Sequence, residues 1–318
     1  MGARVTGGTP GAGWLDELSF GAGPPWHAMG TRALPEDRWL VPDEEHGVDL
    51  ARKQALLADA RDVVSGSCPG AGEAIEEAAQ LLARTVGGTL DPHRDPLEAA
   101  ALLVQEDLCL LRRGGEGWAL VAGVVCFPSM WRLPDKLGLH VTAVHGPVPA
   151  YEAELAGRVD RLLDRLRPER PAWRRNWLLH DSPELHLPDP PPPRSGVSVP
   201  EDLWLRSERQ ALRRLPATGA ILFTIRTQQA PLAVLAGRPD LAAAMAGAIR
   251  SWDDELVSYR AAGAWREPVL DWLVEVAGAD RQAGARARAW AEQPGPRPGA
   301  DDMTHRSERG PSSPDRMT

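Results

Sequence analysis

The chain has 318 residues, 43 % of them hydrophobic, with 36 Lys plus Arg against 44 Asp plus Glu and a net charge of −8. Such a balance argues against nucleic acid as a partner, because neutralising phosphates takes clustered positive charge. No apolar run reaches the roughly 18 residues of a membrane span, and the start lacks a basic segment followed by an apolar one, so a cytoplasmic protein without a membrane anchor is expected.

Residues 1–15 are Gly-rich and are expected to be disordered. Apolar spacing then predicts helices over Asp49–Val64 and Glu73–Val86. Asp95 and Pro96 read as the N-cap and first turn of a third helix, with Leu97 to Val104 behind them. Two apolar runs, Leu108–Leu111 and Trp118–Cys126, flank glycines 114, 115 and 117 and read as paired strands. From Phe127 to Pro149 the chain is punctuated by proline and glycine; Pro147 and Pro149 stiffen a loop that holds His145 in a set position.

Tyr151–Leu166 reads as an amphipathic helix that Pro168 ends. A strand follows over Trp173–Leu179, then a Pro-rich loop over 188–200 and a short strand over Leu203–Ser207. Glu208–Leu215 reads as a helical turn and Ala220–Arg226 as a buried strand; Pro239–Ile249, Leu256–Tyr259 and Glu267–Val276 read as helices. Residues 293–318 are expected to be a disordered tail. Helices first, then mostly antiparallel strands, give an α+β class: one domain over 16–292, helical over 30–104, with a sheet core over 105–235 and C-terminal helices over 239–292.

The stretches Val104–Leu111 (VQEDLCLL), Cys126–Trp131 (CFPSMW), Asp135–Gly138 (DKLG) and Val144–Tyr151 (VHGPVPAY) occur in this order, followed by WRRNW at 173–177, LRSERQ at 205–210, LRRLP at 212–216 and ILFTIRT at 221–227. This pattern, from residue 20 to residue 275, resembles the heme-dependent oxidative N-demethylase family. The resemblance implies a PAS-like antiparallel sheet enclosing heme b, extended by helices at both ends. It also implies a monooxygenase subunit that takes O2 and a small N-methylated amine and releases formaldehyde and the demethylated amine. A non-catalytic heme-binding sensor or gas-binding protein is the alternative.

Heme iron needs a His, Cys, Tyr or Met ligand. His145 is the candidate that the family motif favours; His140, His180 and Cys126 are alternatives. Arg226 and Arg174 interrupt apolar strands, so each must find an anion: a heme propionate, or an internal carboxylate among Glu106, Asp107 and Glu208. Lys136 and Trp131 lie in motif stretches beside the histidine and complete the expected cofactor-binding set. Glu208 and Asp107 are the motif carboxylates that would meet an ammonium substrate, with Trp131, Trp173 and Trp177 as aromatic faces. The family often places an aromatic after the TIRT strand, where this chain has Gln228. No Gly-rich strand–turn–helix offers a dinucleotide cradle, and Cys68, Cys109 and Cys126 are too scattered for an iron–sulfur cluster. Electrons are therefore expected from a separate flavin- or iron–sulfur-containing reductase subunit.

Overall fold

An eight-stranded, wholly antiparallel sheet organises the computed structural model. Residues 13–20, 30–35, 38–149, 151–190 and 196–291 are described, with side chains as far as Gly278. The strands are β1 (Arg32–Ala33), β2 (Ser65–Ser67), β3 (Asp107–Gly114), β4 (Gly117–Val124), β5 (Ala172–Arg175), β6 (Leu178–His180), β7 (Trp204–Arg214) and β8 (Ile221–Pro231). They run β1-β5-β7-β8-β3-β4-β2, with β6 paired to β7 beyond β5. The helices are α1 (His46–Asp59), α2 (Arg61–Val64), α3 (Gly72–Val86), α4 (Pro96–Ala101), α5 (Val141–Val144), α6 (Gly157–Arg165), α7 (Pro239–Arg250), α8 (Asp254–Tyr259) and α9 (Arg266–Ala291). The α+β class is as expected, and no described helix is long and apolar enough to cross a membrane.

Both faces of the sheet are covered. On one face Leu108, Leu110, Ala122 and Leu222 pack with Leu57 of α1, Ala78 and Leu82 of α3, and Leu97 of α4. On the other face Cys109, Leu111, Leu120, Ile221 and Ile225 pack under Leu133, Val141, Leu163 and Leu166. This second cover is the punctuated segment and the helix after it, so the loop of His145 lies over the sheet. A third cluster joins α7, α8 and α9 to Leu203, Leu205, Trp14 and Leu15.

Local chemistry accounts for the element ends. The Asp95 carboxylate accepts from the Leu97 and Glu98 amides, as its cap position predicts, and Pro96 fills the first turn. Gly87, at φ +66°, ends α3 in the left-handed conformation that glycine enters without a Cβ clash. The hairpin β3–β4 turns at Gly114–Gly117.

Several elements differ from expectation. The helix expected over 49–64 breaks at Ala60 into α1 and α2. The first turns after Tyr151 are π-helical up to Ala156. The strand over 173–179 divides at Asn176 and Trp177 into β5 and β6. Gly13–Glu17 forms a 3-10 turn with Trp14 and Leu15 buried, overlapping the end of the stretch expected to be disordered up to residue 15; residues 1–12, the expected tail over 293–318 and part of the Pro-rich loop lie outside the described residues.

The largest correction concerns Glu208–Leu215, which is not a helical turn but the second half of β7, paired to β8 from Trp204↔Pro231 to Arg214↔Ile221. Its charges conceal the strand because polar side chains occur on both faces and each is satisfied locally. The Arg213 and Arg214 guanidinium carbons lie 4.8 and 5.2 Å from the ring centroids of Trp39 and Trp118, and Arg209 donates to the Trp39 carbonyl at 3.0 Å.

Candidate functional site

Strand register decides which motif residues can meet. Glu208 opposes Thr227, Gln210 opposes Ile225, Arg174 opposes Gln210, and Ile225 opposes Asp107. These side chains share the face under the His145 loop. Arg209 and Arg226 oppose each other on the reverse face, beneath the N-terminal helices.

Glu208 gathers residues from three motifs. Its Oε1 accepts from Ser129 Oγ at 2.7 Å, and its Oε2 accepts from Asn176 Nδ2 at 2.9 Å and Gln210 Nε2 at 2.8 Å. Asn176 Oδ1 in turn accepts from the Glu208 amide at 2.9 Å. A carboxylate has about four acceptor positions, so three donors leave one on Oε1. Ser129 reaches it because Met130 adopts φ +60°, a conformation uncommon outside glycine, while its amide donates to the Leu187 carbonyl at 2.6 Å.

His145 caps α5. Its Nδ1 lies 2.8 Å from the Val141 carbonyl, which can only accept, so Nδ1 carries the proton. Nε2 then holds the lone pair and has no hydrogen-bond partner among the described residues. Burial holds the imidazole below its ordinary pKa; the Arg174 and Lys136 cations add to this and Glu208 opposes it. A neutral ring, oriented by a carbonyl and presenting one bare nitrogen, is the form in which histidine binds a metal. Lys136 Nζ donates to the Val144 carbonyl at 2.9 Å and pins the loop. Trp131 packs against the apolar cluster below it.

The remaining candidates take different places. Asp107 accepts from the Cys126 and Phe127 amides, each at 2.8 Å, and so anchors the turn that leads to Ser129. Burial pushes its carboxyl up to about 6. Arg226 has found acids that sequence reasoning did not name: Asp43 at 2.7 Å and Asp49 at 3.1 Å. Gln105 ties both aspartates to the start of β3. Arg174, on the His145 side, has neither hydrogen bond nor ion pair among the described residues, and its Nε is buried.

Among the alternative ligands, burial pushes the Cys126 thiol up to about 12, which keeps it protonated. His140 sits 3.4 Å from Glu116 at the hairpin turn. His180 is buried, with Nε2 unpartnered; its Nδ1 accepts from the Ser182 amide at 3.3 Å. Burial, helped by Arg206, depresses its pKa to about 4.

A histidine depressed on folding stabilises the protein above pH 6.5, and that contribution is lost as the pH falls towards 4. Between pH 7.5 and 5, wild type should therefore lose about 2 kcal/mol more unfolding free energy than His180→Leu. Equal losses in urea titrations would contradict a neutral, buried His180.

Ser129, Asn176, Gln210 and Tyr151 were not foreseen as site residues. Each lies within a motif stretch, which was the available signal, but only strand pairing brings the stretches together. The motifs carry both the site and its supports, and a family model matches them across residues 83–270, more than half of the chain. The chain belongs to the family described as haem-dependent oxidative N-demethylase, alpha subunit-like.

Proposed function

We propose that this chain is the heme-binding subunit of a monooxygenase that removes a methyl group from a small amine, with His145 as the protein ligand of heme b. The observation that carries the reading is the placement of a neutral histidine with a bare Nε2 on the same sheet face as a buried carboxylate that retains one acceptor position. The donor set suits the group: one imidazole for iron, and Arg174, whose buried Nε has no acceptor, for a carboxylate side chain. Bound heme would supply the activation of O2.

The protein's own residues do the rest. Val141, Lys136 and the two prolines fix the histidine. Ser129, Asn176 and Gln210 orient Glu208 so that its free Oε1 position accepts an N–H of the ammonium substrate. Burial of the site strengthens that pairing relative to water. Asp107 serves as the anchor of the Cys126–Ser129 turn and has no direct role with substrate. The sheet with its loop-and-helix cover is the PAS-like part, and the N-terminal and C-terminal helices are additions to it. Electrons come from a separate reductase subunit, because no dinucleotide or cluster motif is present in the sequence.

The test is formaldehyde release. Purified chain loaded with heme, supplied with a reductase, O2 and a series of N-methylated amines, should produce formaldehyde and demethylated amine in equal amounts. Binding of heme without formaldehyde from any amine would favour a sensor instead.

A further inference from the structure

Two buried donors beside His145 end without an acceptor. Tyr151, only 5 % exposed, lies parallel to the imidazole with ring centroids 4.6 Å apart and planes 8° apart. Its hydroxyl is buried and makes no hydrogen bond. Arg174 is the other: its Nε is buried without an acceptor, and among the described residues its guanidinium makes no hydrogen bond or ion pair. The guanidinium feels the charge of Glu208 first and of the phenol second, but neither is a hydrogen-bond partner to it.

The other buried arginines of the sheet show what this fold ordinarily does with such groups. Although the Nε atoms of Arg206 and Arg226 are also without a partner, Arg206 donates through Nη1 and Nη2 to four backbone carbonyls, Arg226 to Asp43, and Arg175 to Glu17, Ser207 and Gln228. A buried donor that has given up water without gaining an acceptor is costly. Two of them, one cationic, around one histidine call for an anionic oxygen ligand.

We propose that Tyr151 and Arg174 together bind a heme carboxylate, the phenol hydroxyl and the guanidinium each donating to it. The proposal rests on the reading of His145 as the iron ligand and adds Tyr151 to it. It also removes Arg226, which is committed to Asp43 and Asp49 on the reverse face of the sheet. Tyr151 thus has two tasks: its ring steadies the imidazole, and its hydroxyl holds the cofactor's rim. A one-sided cation–phenol pair would also fix which way round the porphyrin enters.

The experiment varies the ligand as well as the protein. Apoprotein is titrated with hemin and with hemin dimethyl ester, in which both carboxylates are masked, and the Soret band is followed. Wild type should bind hemin at least tenfold more tightly than the diester. Arg174→Gln should bring the two within about threefold, roughly one half of a 1.4 kcal/mol decade. Tyr151→Phe, which keeps the stacked ring, should lose part of the preference while the Soret maximum stays in place. Undiminished preference in both variants, or no preference in wild type, overturns the assignment and leaves the heme reading intact. Wild type that takes up no hemin contradicts the heme reading, and this inference with it.

Discussion

Arg206→Ala should destabilise the protein by about 3–5 kcal/mol, the range for deleting one partner of a buried charged network. The guanidinium is fully buried on β7. Nη2 donates to the carbonyls of Phe127, Pro128 and Leu185 at 2.8, 3.0 and 2.9 Å, and Nη1 to that of Glu184 at 3.1 Å. One side chain thus ties the Cys126–Ser129 turn and the 184–185 loop to the sheet. Removal leaves the carbonyls of Pro128, Glu184 and Leu185 without this donor, leaves that of Phe127 with Thr227 Oγ1 alone at 3.3 Å, and opens a void; each hydrogen bond to a charged group is worth about 1.5–3 kcal/mol. The absent desolvation cost of the cation offsets part of this. Urea unfolding monitored by tryptophan fluorescence reads the change. A loss below about 1 kcal/mol would mean that Asp107 and the other contacts of the turn hold it without Arg206, since exposed substitutions ordinarily cost no more than that.

The second large effect is on substrate binding. Glu208→Gln should raise KM for a protonated amine about 10- to 100-fold, the equivalent of about 1.5–3 kcal/mol for a hydrogen bond to a charged group. The amide keeps the shape but carries no charge. It also sets an NH2 against donors from Ser129, or from Asn176 and Gln210, so the network loses one side. Heme content and the Soret maximum should be unchanged, because Glu208 does not touch the ligand nitrogen of His145. An unchanged KM with the same amine would place the substrate elsewhere.

How much of this could be read from the sequence depends on how far the relevant partner lies along the chain. The Asp95 cap, the Gly114–Gly117 hairpin and the apolar stripe of α3 are local, and spacing alone reveals them. The second half of β7 was hidden because period two needs one apolar face, whereas Arg206, Ser207, Glu208 and Arg209 are all buried polar residues on alternating faces. Arg226 shows the same limit. Its need for an anion was legible, but Asp43 and Asp49 are more than 170 positions away and enter only through the packing of α1. The Glu208 cluster lies between these cases. All its members stand in motif stretches, yet Ser129, Asn176 and Gln210 become one site only through the β5–β7 register and the turn at Met130.

One titration tests whether His145 carries the iron. Hemin added to purified wild-type apoprotein should give a saturable Soret band with one heme per chain. His145→Ala should bind weakly or not at all, and exogenous imidazole should restore a six- or five-coordinate spectrum, while its urea midpoint stays within error because the residue caps only a four-residue turn. Stoichiometric binding by His145→Ala with the wild-type spectrum would contradict the assignment and direct attention to His180, a buried histidine with a bare ring nitrogen.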